Sequence, residues 1–163
     1  MECWMKDYID VWTDGSCDNK NNEFGGVGIV MNYKSHNREI SKAFGGGQTN
    51  NTMEMMAVVV ALENIATTNI PIKIHSDSAY VVNCFLQKWY VNWRKNGWKN
   101  SKKKAVENKD IWERMIELVE KQKDVEFVKV KGHIGIPLNE RCDQLAKSAV
   151  KKAREKKYGK EAS

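Results

Sequence analysis

Four carboxylates stand where the neighbouring residues could put them to chemical use. Asp14 lies in Thr13-Asp14-Gly15-Ser16, and Glu54 opens an apolar stretch. Asp77 lies in Ser76-Asp77-Ser78, and Asp143 follows Asn139-Glu140-Arg141-Cys142. Like charges gathered at one place repel and raise each other's pKa. Divalent cations between them remove that cost. Hard oxygen ligands favour magnesium or manganese. Two such ions about 4 Å apart can clamp an in-line displacement at phosphorus, one activating a water and the other stabilising the leaving oxygen. Taken singly, each acid is an ordinary turn or cap residue, and Glu54 could simply complement a helix dipole. Spacing in the sequence does not itself bring the four together.

The surrounding pattern supplies elements to hold them. Residues 8–12 (YIDVW) alternate and predict a strand that ends at Asp14. Small residues in Gly25-Gly26-Val27-Gly28-Ile29-Val30-Met31 predict a second strand with room for close backbone approach. A third covers 38–44. Thr49 or Asn50 caps a helix whose stripe is Met53, Met56, Ala57, Val60, Ala61 and Asn64, with Glu54 in its first turn. Residues 72–75 predict a strand ending at Asp77, and 80–87 a helix. Residues 110–122 form an amphipathic helix, 125–130 a strand, and about 140–157 a last helix carrying Asp143. Strands and helices in this order imply one α/β domain built on a mixed sheet. The crevice of such a sheet lies at the carboxyl ends of its strands, where strand order switches.

The bulk properties agree with a folded chain. It has 163 residues, 41% of them apolar, with 27 Lys and Arg against 21 acids. The net charge of +6 is compatible with a polyanionic partner without proving one. Cys3, Cys17, Cys84 and Cys142 form no C-x-x-C pair, which gives a zinc ribbon or thioredoxin-type site no support. The N-terminus lacks the apolar run of a signal peptide, and no run approaches a membrane span. The expectation is a reduced, soluble, cytoplasmic protein with no membrane partner.

The four acidic segments, in order, resemble those of type 1 ribonuclease H, the bacterial ribonuclease HI group in particular. Thr13-Asp14-Gly15-Ser16-Cys17 resembles the first block. Thr49-Asn50-Asn51-Thr52-Met53-Glu54, continuing to Ala61-Leu62-Glu63, resembles the second. Ser76-Asp77-Ser78-Ala79-Tyr80-Val81 resembles the third. Lys131-Gly132-His133, followed by Gly135, Pro137 and Asn139 to Ala146, resembles the last. The resemblance implies an α/β, ribonuclease H-like fold with a five-stranded mixed sheet flanked by helices on both faces. It implies a catalytic domain over 1–150, with 151–163 a basic tail, either helix end or disordered. It implies an endonuclease that hydrolyses the RNA strand of RNA–DNA hybrids, leaving 5′-phosphate and 3′-hydroxyl ends. Asp14, Glu54, Asp77 and Asp143 would bind two Mg2+ ions, Mn2+ being an alternative, and His133 would assist in proton handling or product release. The expected partner is the hybrid itself, bound by a monomer.

The same resemblance assigns contacts. Gly15, Ser16, Cys17, Asn50 and Glu54 match RNA-strand contacts, Glu140 is assigned to the RNA strand and stands one turn before Asp143 to tune the metal site, and Thr49 and Asn51 match positions that reach the DNA strand. The 2′-hydroxyl read in the minor groove marks the RNA strand, and an Asn amide suits a group that donates and accepts. Residues 88–104 hold Lys88, Arg94, Lys95, Lys99, Lys102, Lys103 and Lys104 with no acid, interleaved with Trp89, Trp93 and Trp98. A charge run is ordinarily a solvated face, but unbalanced cations with interleaved aromatics suit a surface that tracks phosphates. This segment resembles the basic protrusion of part of the family. It is assigned to the DNA strand through Trp93, Arg94, Lys95, Lys99 and Lys102–Lys104, with Trp93 against deoxyribose and Trp89 and Trp98 structural.

Departures from the family pattern bear on affinity. The turn 18–24 is one residue longer than usual, leaving Asn19 or Asn21 for the hybrid contact. Ala79 stands where a Gln is common. Rival readings are a non-catalytic hybrid reader, which would gain nothing from acids facing phosphates, and a resolvase, integrase-type or reverse-transcriptase nuclease on the same fold.

Overall fold

Three strands in succession form an antiparallel meander: β1 (Ile9–Cys17), β2 (Gly25–Tyr33) and β3 (His36–Phe44). The β2–β3 reversal is tight, with Lys34 at a positive φ of 52°, and His36 begins β3. The chain then crosses through α1 (Asn50–Glu63) to β4 (Ile72–Ser76), which pairs parallel to β1. After α2 (Ala79–Leu86), α3 (Trp89–Asn96) and α4 (Lys109–Glu120) comes β5 (Val125–Lys129), parallel to β4. The last helix, α5, covers Pro137–Tyr158. The sheet order is β3-β2-β1-β4-β5, so β1 is the strand where antiparallel pairing gives way to parallel. The computed structural model describes residues 7–18, 23–131 and 135–159. Among these, no helix is long and apolar enough to cross a membrane.

Helices cover both faces, and the strand glycines show why they fit. Successive strand residues point to opposite faces. A Cβ on Gly28, the partner of Asp14, would stand 1.9 Å from the Cys142 carbonyl oxygen of α5. A Cβ on Gly15, one residue on from Asp14, would stand 2.3 Å from the Met53 carbonyl carbon of α1. The two helices therefore lie on opposite sides of β1 and β2, each pressed against backbone.

The elements differ from expectation in instructive ways. β1 runs on through Cys17, so Asp14 lies inside the strand. Its polar residues pair with the glycine-rich start of β2, and packing overrides a composition that reads as a turn. Glu54 lies beyond the first turn of α1. That helix is buried continuously from Ala57 to Leu62 instead of along one stripe, because it lies between the sheet and α4. Its neighbours in the core include Val11, Ile29, Ile74, Trp112 and Phe127. α5 begins with Pro137 in the first helical turn and continues through the basic tail as ordered helix as far as Tyr158. The segment 88–104 contains a helix of its own, α3, closed by Gly97 at a φ of 76°.

Candidate active site

The hollow beside β1 is built by two close approaches. Thr49 caps α1: its hydroxyl accepts from the Thr52 N–H at 3.0 Å, and the Thr52 hydroxyl accepts from the Thr49 N–H at 2.9 Å. Such a reciprocal cap stabilises a helix start by about 1 kcal/mol. It holds the first turns of α1 while Gly15, lacking a Cβ, lets the helix backbone rest on β1. The Gly15 N–H then donates to both Asp14 Oδ1 and Glu54 Oε1 at 3.0 Å. Asp77 follows directly on β4. It is flanked by Ser76, whose hydroxyl accepts from the Ser78 N–H at 3.1 Å, and by Ser78, which caps α2 by accepting from the Val81 N–H at 3.2 Å.

Asp14, Glu54 and Asp77 thereby converge, with one carboxylate oxygen from each within 4.8 Å of the others. At an effective dielectric near 20, two full charges at that separation repel by about 3 kcal/mol. Asp14 is pushed up to about 6, first by burial and then by the charges of Asp77 and Asp143. The hydrogen bonds from Glu54 and the Gly15 N–H oppose the rise. Glu54 is raised well above the usual carboxylate range, first by burial, then by its hydrogen bond with Asp14 and the Asp14 and Asp77 charges. Its Oε2 is buried with no hydrogen-bond partner among the described residues. A buried oxygen without a donor, in a set of three oxygen-donor side chains, fits a divalent cation.

Asp143 lines the same hollow, of about 430 Å³, but stands apart from that trio. Its side chain is 41% exposed and pairs with Lys147, one turn along α5, at 2.9 Å. Gly15, Ser16, Asn50 and Asn51 also line the hollow. Cys17, at the end of β1, is half-buried and does not. Glu140, in the first turn of α5, accepts from the Gly135 N–H at 3.0 Å. His133, Asn19 and Asn21 lie outside the described residues.

A second groove, of about 830 Å³, adjoins the hollow through Tyr80, which lines both. Lys95, Lys99 and Lys104 line it beside Trp89 and Trp93. Lys102 and Lys103 are exposed on the same turn. Asn100 organises that turn, its side-chain oxygen accepting from the N–H groups of Lys102 and Lys104 at 2.9 and 3.0 Å. Two residues assigned to the DNA strand have protein partners here. Trp93 is the most buried of the three tryptophans, 8% exposed, with its ring packed against Trp89, Trp98 and Trp112. Its ring is held by packing, and little of its surface is open. Arg94 turns away to Glu120 of α4 in a two-pronged ion pair at 2.7 and 2.9 Å, so the segment's charge is partly balanced by an acid that its own sequence does not contain.

Tyr80, Asn96, Asn100 and Lys147 were not singled out by the sequence. The side chain of Asn96 both donates to and accepts from the Lys99 backbone, at 3.0 Å each way. Asn within a lysine-rich stretch is a turn signal, and Lys147 stands four residues after Asp143 on a helix. Those were the available cues. His75, read as a strand residue, is one: it stacks on Trp12 at 4.0 Å and sits 2.8 Å from the buried Asp10 carboxylate.

A family model described as RNase H matches residues 6–151. Ribonuclease H of Clostridium botulinum is 47% identical over 148 residues, covering 90% of this chain and 97% of that protein. Ribonuclease H of Syntrophomonas wolfei is 47% identical over 147 residues, covering 90% and 98%. Among solved structures, LC9-RNase H1, a type 1 RNase H with the type 2 active-site motif, is similar with a TM-score of 0.75 and 27% identity, over 89% of this chain and 72% of that one. The foamy viral protease-reverse transcriptase in complex with RNA/DNA hybrid matches with a TM-score of 0.73 and 26% identity, over 88% of this chain and 20% of that one. With its five-stranded mixed sheet, its convergent carboxylates and relatives at this level of identity over nearly their whole length, the chain belongs to the ribonuclease H family.

Proposed function

We propose that the protein is an endonuclease that hydrolyses the RNA strand of RNA–DNA hybrids, leaving 5′-phosphate and 3′-hydroxyl ends. The observation that carries this reading is the meeting of Asp14, Glu54 and Asp77 within 4.8 Å beside a strand that also presents Gly15 and Ser16. The three carboxylates would hold Mg2+, with Mn2+ able to substitute, and Asp143, which lines the same hollow, would help to hold a second ion. Bound ions would supply an activated water and a positive charge at the leaving 3′ oxygen.

The chain's own residues position the substrate. The Gly15 N–H fixes the Asp14 and Glu54 carboxylates. Ser16, Asn50 and Glu140 lie along the RNA strand, where a 2′-hydroxyl distinguishes it from DNA. Cys17 contributes through its backbone, and Asn51 with Thr49 reaches toward the second strand. Lys95, Lys99 and Lys102–Lys104 follow the DNA backbone, giving affinity that falls with salt. His133 assists proton handling at the scissile phosphate. One chain provides every carboxylate, which supports a monomeric enzyme.

The test offers hybrid, RNA duplex and DNA duplex to the protein with magnesium, alongside Asp14→Asn. Cutting of the RNA strand in the hybrid alone, abolished by Asp14→Asn, is expected. Equal cutting of DNA duplex would overturn the reading.

A further inference from the structure

The last turns of α5 lie beyond the matched family region, which ends at residue 151, yet they are neither loose nor merely solvated. α5 follows β1 in register. Four helical residues advance about 6 Å and two strand residues about 6.6 Å. The first two contacts therefore fall at matching intervals. Cys142 lies against Gly28, the partner of Asp14, and Ala146 against Gly26, the partner of Ser16. Two turns on, the Arg154 guanidinium donates to Asp18 Oδ2 at 2.6 Å. This pair is buried, with the Asp18 side chain 6% and the Arg154 side chain 14% exposed. The Asp18 N–H in turn donates to the Phe24 carbonyl at 2.8 Å. The Tyr158 hydroxyl reaches both oxygens of Glu23, at 2.7 and 2.8 Å, and Lys157 pairs with the same carboxylate. The Arg154 guanidinium also lies 5.5 Å from the Tyr158 ring.

The helix end thus holds the outgoing strand at Asp18 and the returning strand at Glu23. Only Cys17 separates Asp18 from Ser16, which lines the carboxylate hollow. We propose that Arg154 is a positioning residue for substrate binding: by fixing Asp18 it sets the end of β1, and with it the backbone of Ser16 and Cys17, in the register that the RNA strand requires. This rests on the hybrid-cleaving function proposed above. Arg serves better than Lys because its planar fork is pre-organised, so less freedom is lost for each hydrogen bond it makes.

Cleavage of a hybrid with magnesium, well below each variant's melting temperature, tests it. Arg154→Ala should raise KM about tenfold and leave kcat within twofold, with Arg154→Lys between it and the unmodified protein. Arg154→Ala also takes a cationic partner from a buried carboxylate, so the double variant Asp18→Asn with Arg154→Met separates positioning from stability. Its Tm should recover toward that of the unmodified protein while its KM stays raised. A KM that recovers with Tm, or a loss carried by kcat, overturns the proposal. Failure of the unmodified protein to cut hybrid would instead sink the underlying function.

Discussion

The carboxylate hollow and the basic groove sit side by side, share Tyr80, and are built on opposite principles. In the hollow, Asp14, Glu54 and Asp77 are fixed by backbone events: Gly15 against α1, a reciprocal cap at Thr49, Ser76 and Ser78 around Asp77. Its charges are close, partly buried and mutually unfavourable. In the groove, the lysines after α3 stand on an exposed turn ordered by Asn96 and Asn100, beside tryptophans packed at a tilt. Their charges are separate and solvated. Bond cleavage demands position to a fraction of an ångström, so the fold is built to hold repelling groups there. Attraction of a phosphate backbone depends on charge density, and lysines on a solvated turn meet that need without a rigid frame.

The contrast can be broken first at the hollow. Glu54→Gln should lower kcat on the order of 10³-fold, because an anionic ligand is lost. The same change should raise the Tm of metal-free protein by a few degrees, since a buried, repelled carboxyl is replaced by a neutral donor. A fall in Tm would mean that the cluster is not strained. Gly15→Ala should reduce activity about 10²-fold by lifting α1 from β1, in the range expected when reacting groups shift by about 1 Å. Unlike Glu54→Gln it should lower Tm, because its Cβ meets backbone.

At the groove, Lys102, Lys103 and Lys104 replaced together by Ala should raise KM about tenfold. The slope of log KM against log salt should fall by about 2–3, with kcat little changed. An unchanged slope removes the groove from binding. A smaller effect comes from pH. Asp14 is raised from 3.8 to about 6 in the fold, so the folded state binds the proton more tightly than the unfolded one. Its contribution therefore favours folding at low pH and is lost as pH rises through about 6. In chelator, Tm should decline between about pH 4 and 6, and magnesium should restore most at the upper end. Calorimetric scans with Asp14→Asn as reference should show that slope removed. Smallest of all, Arg94→Ala should shift KM less than twofold, since Arg94 is held by Glu120. A tenfold rise would return it to the binding surface.

The residues around Asp14, Glu54 and Asp77 were enough to mark the hollow, because each acid stands in a segment that resembles a block of one family. What the sequence hid were partners distant along the chain. Trp93 and Trp98 look alike in sequence, and only tertiary packing decides which ring is buried. Arg94 reads as a free cation until α4 brings Glu120 to it from 26 residues away. The Lys-rich end of α5 reads as fraying helix because Asp18 and Glu23 lie 136 and 134 residues earlier. Asp14 seemed to end its strand because Thr-Asp-Gly-Ser is turn chemistry, and the pairing with β2 that overrides it is non-local.

β4 stays beside β1 only as far as His75 opposite Trp12, while β2 accompanies it to Cys17. Where a sheet divides in this way, one border of the inner strand is left without a neighbour, and a main-chain donor there must find another acceptor. The Gly15 N–H finds two side-chain anions instead of a carbonyl. The fork in the sheet is thus a socket: lengthening β4 by a single pairing step would plug it with peptide and leave the nuclease no place to assemble.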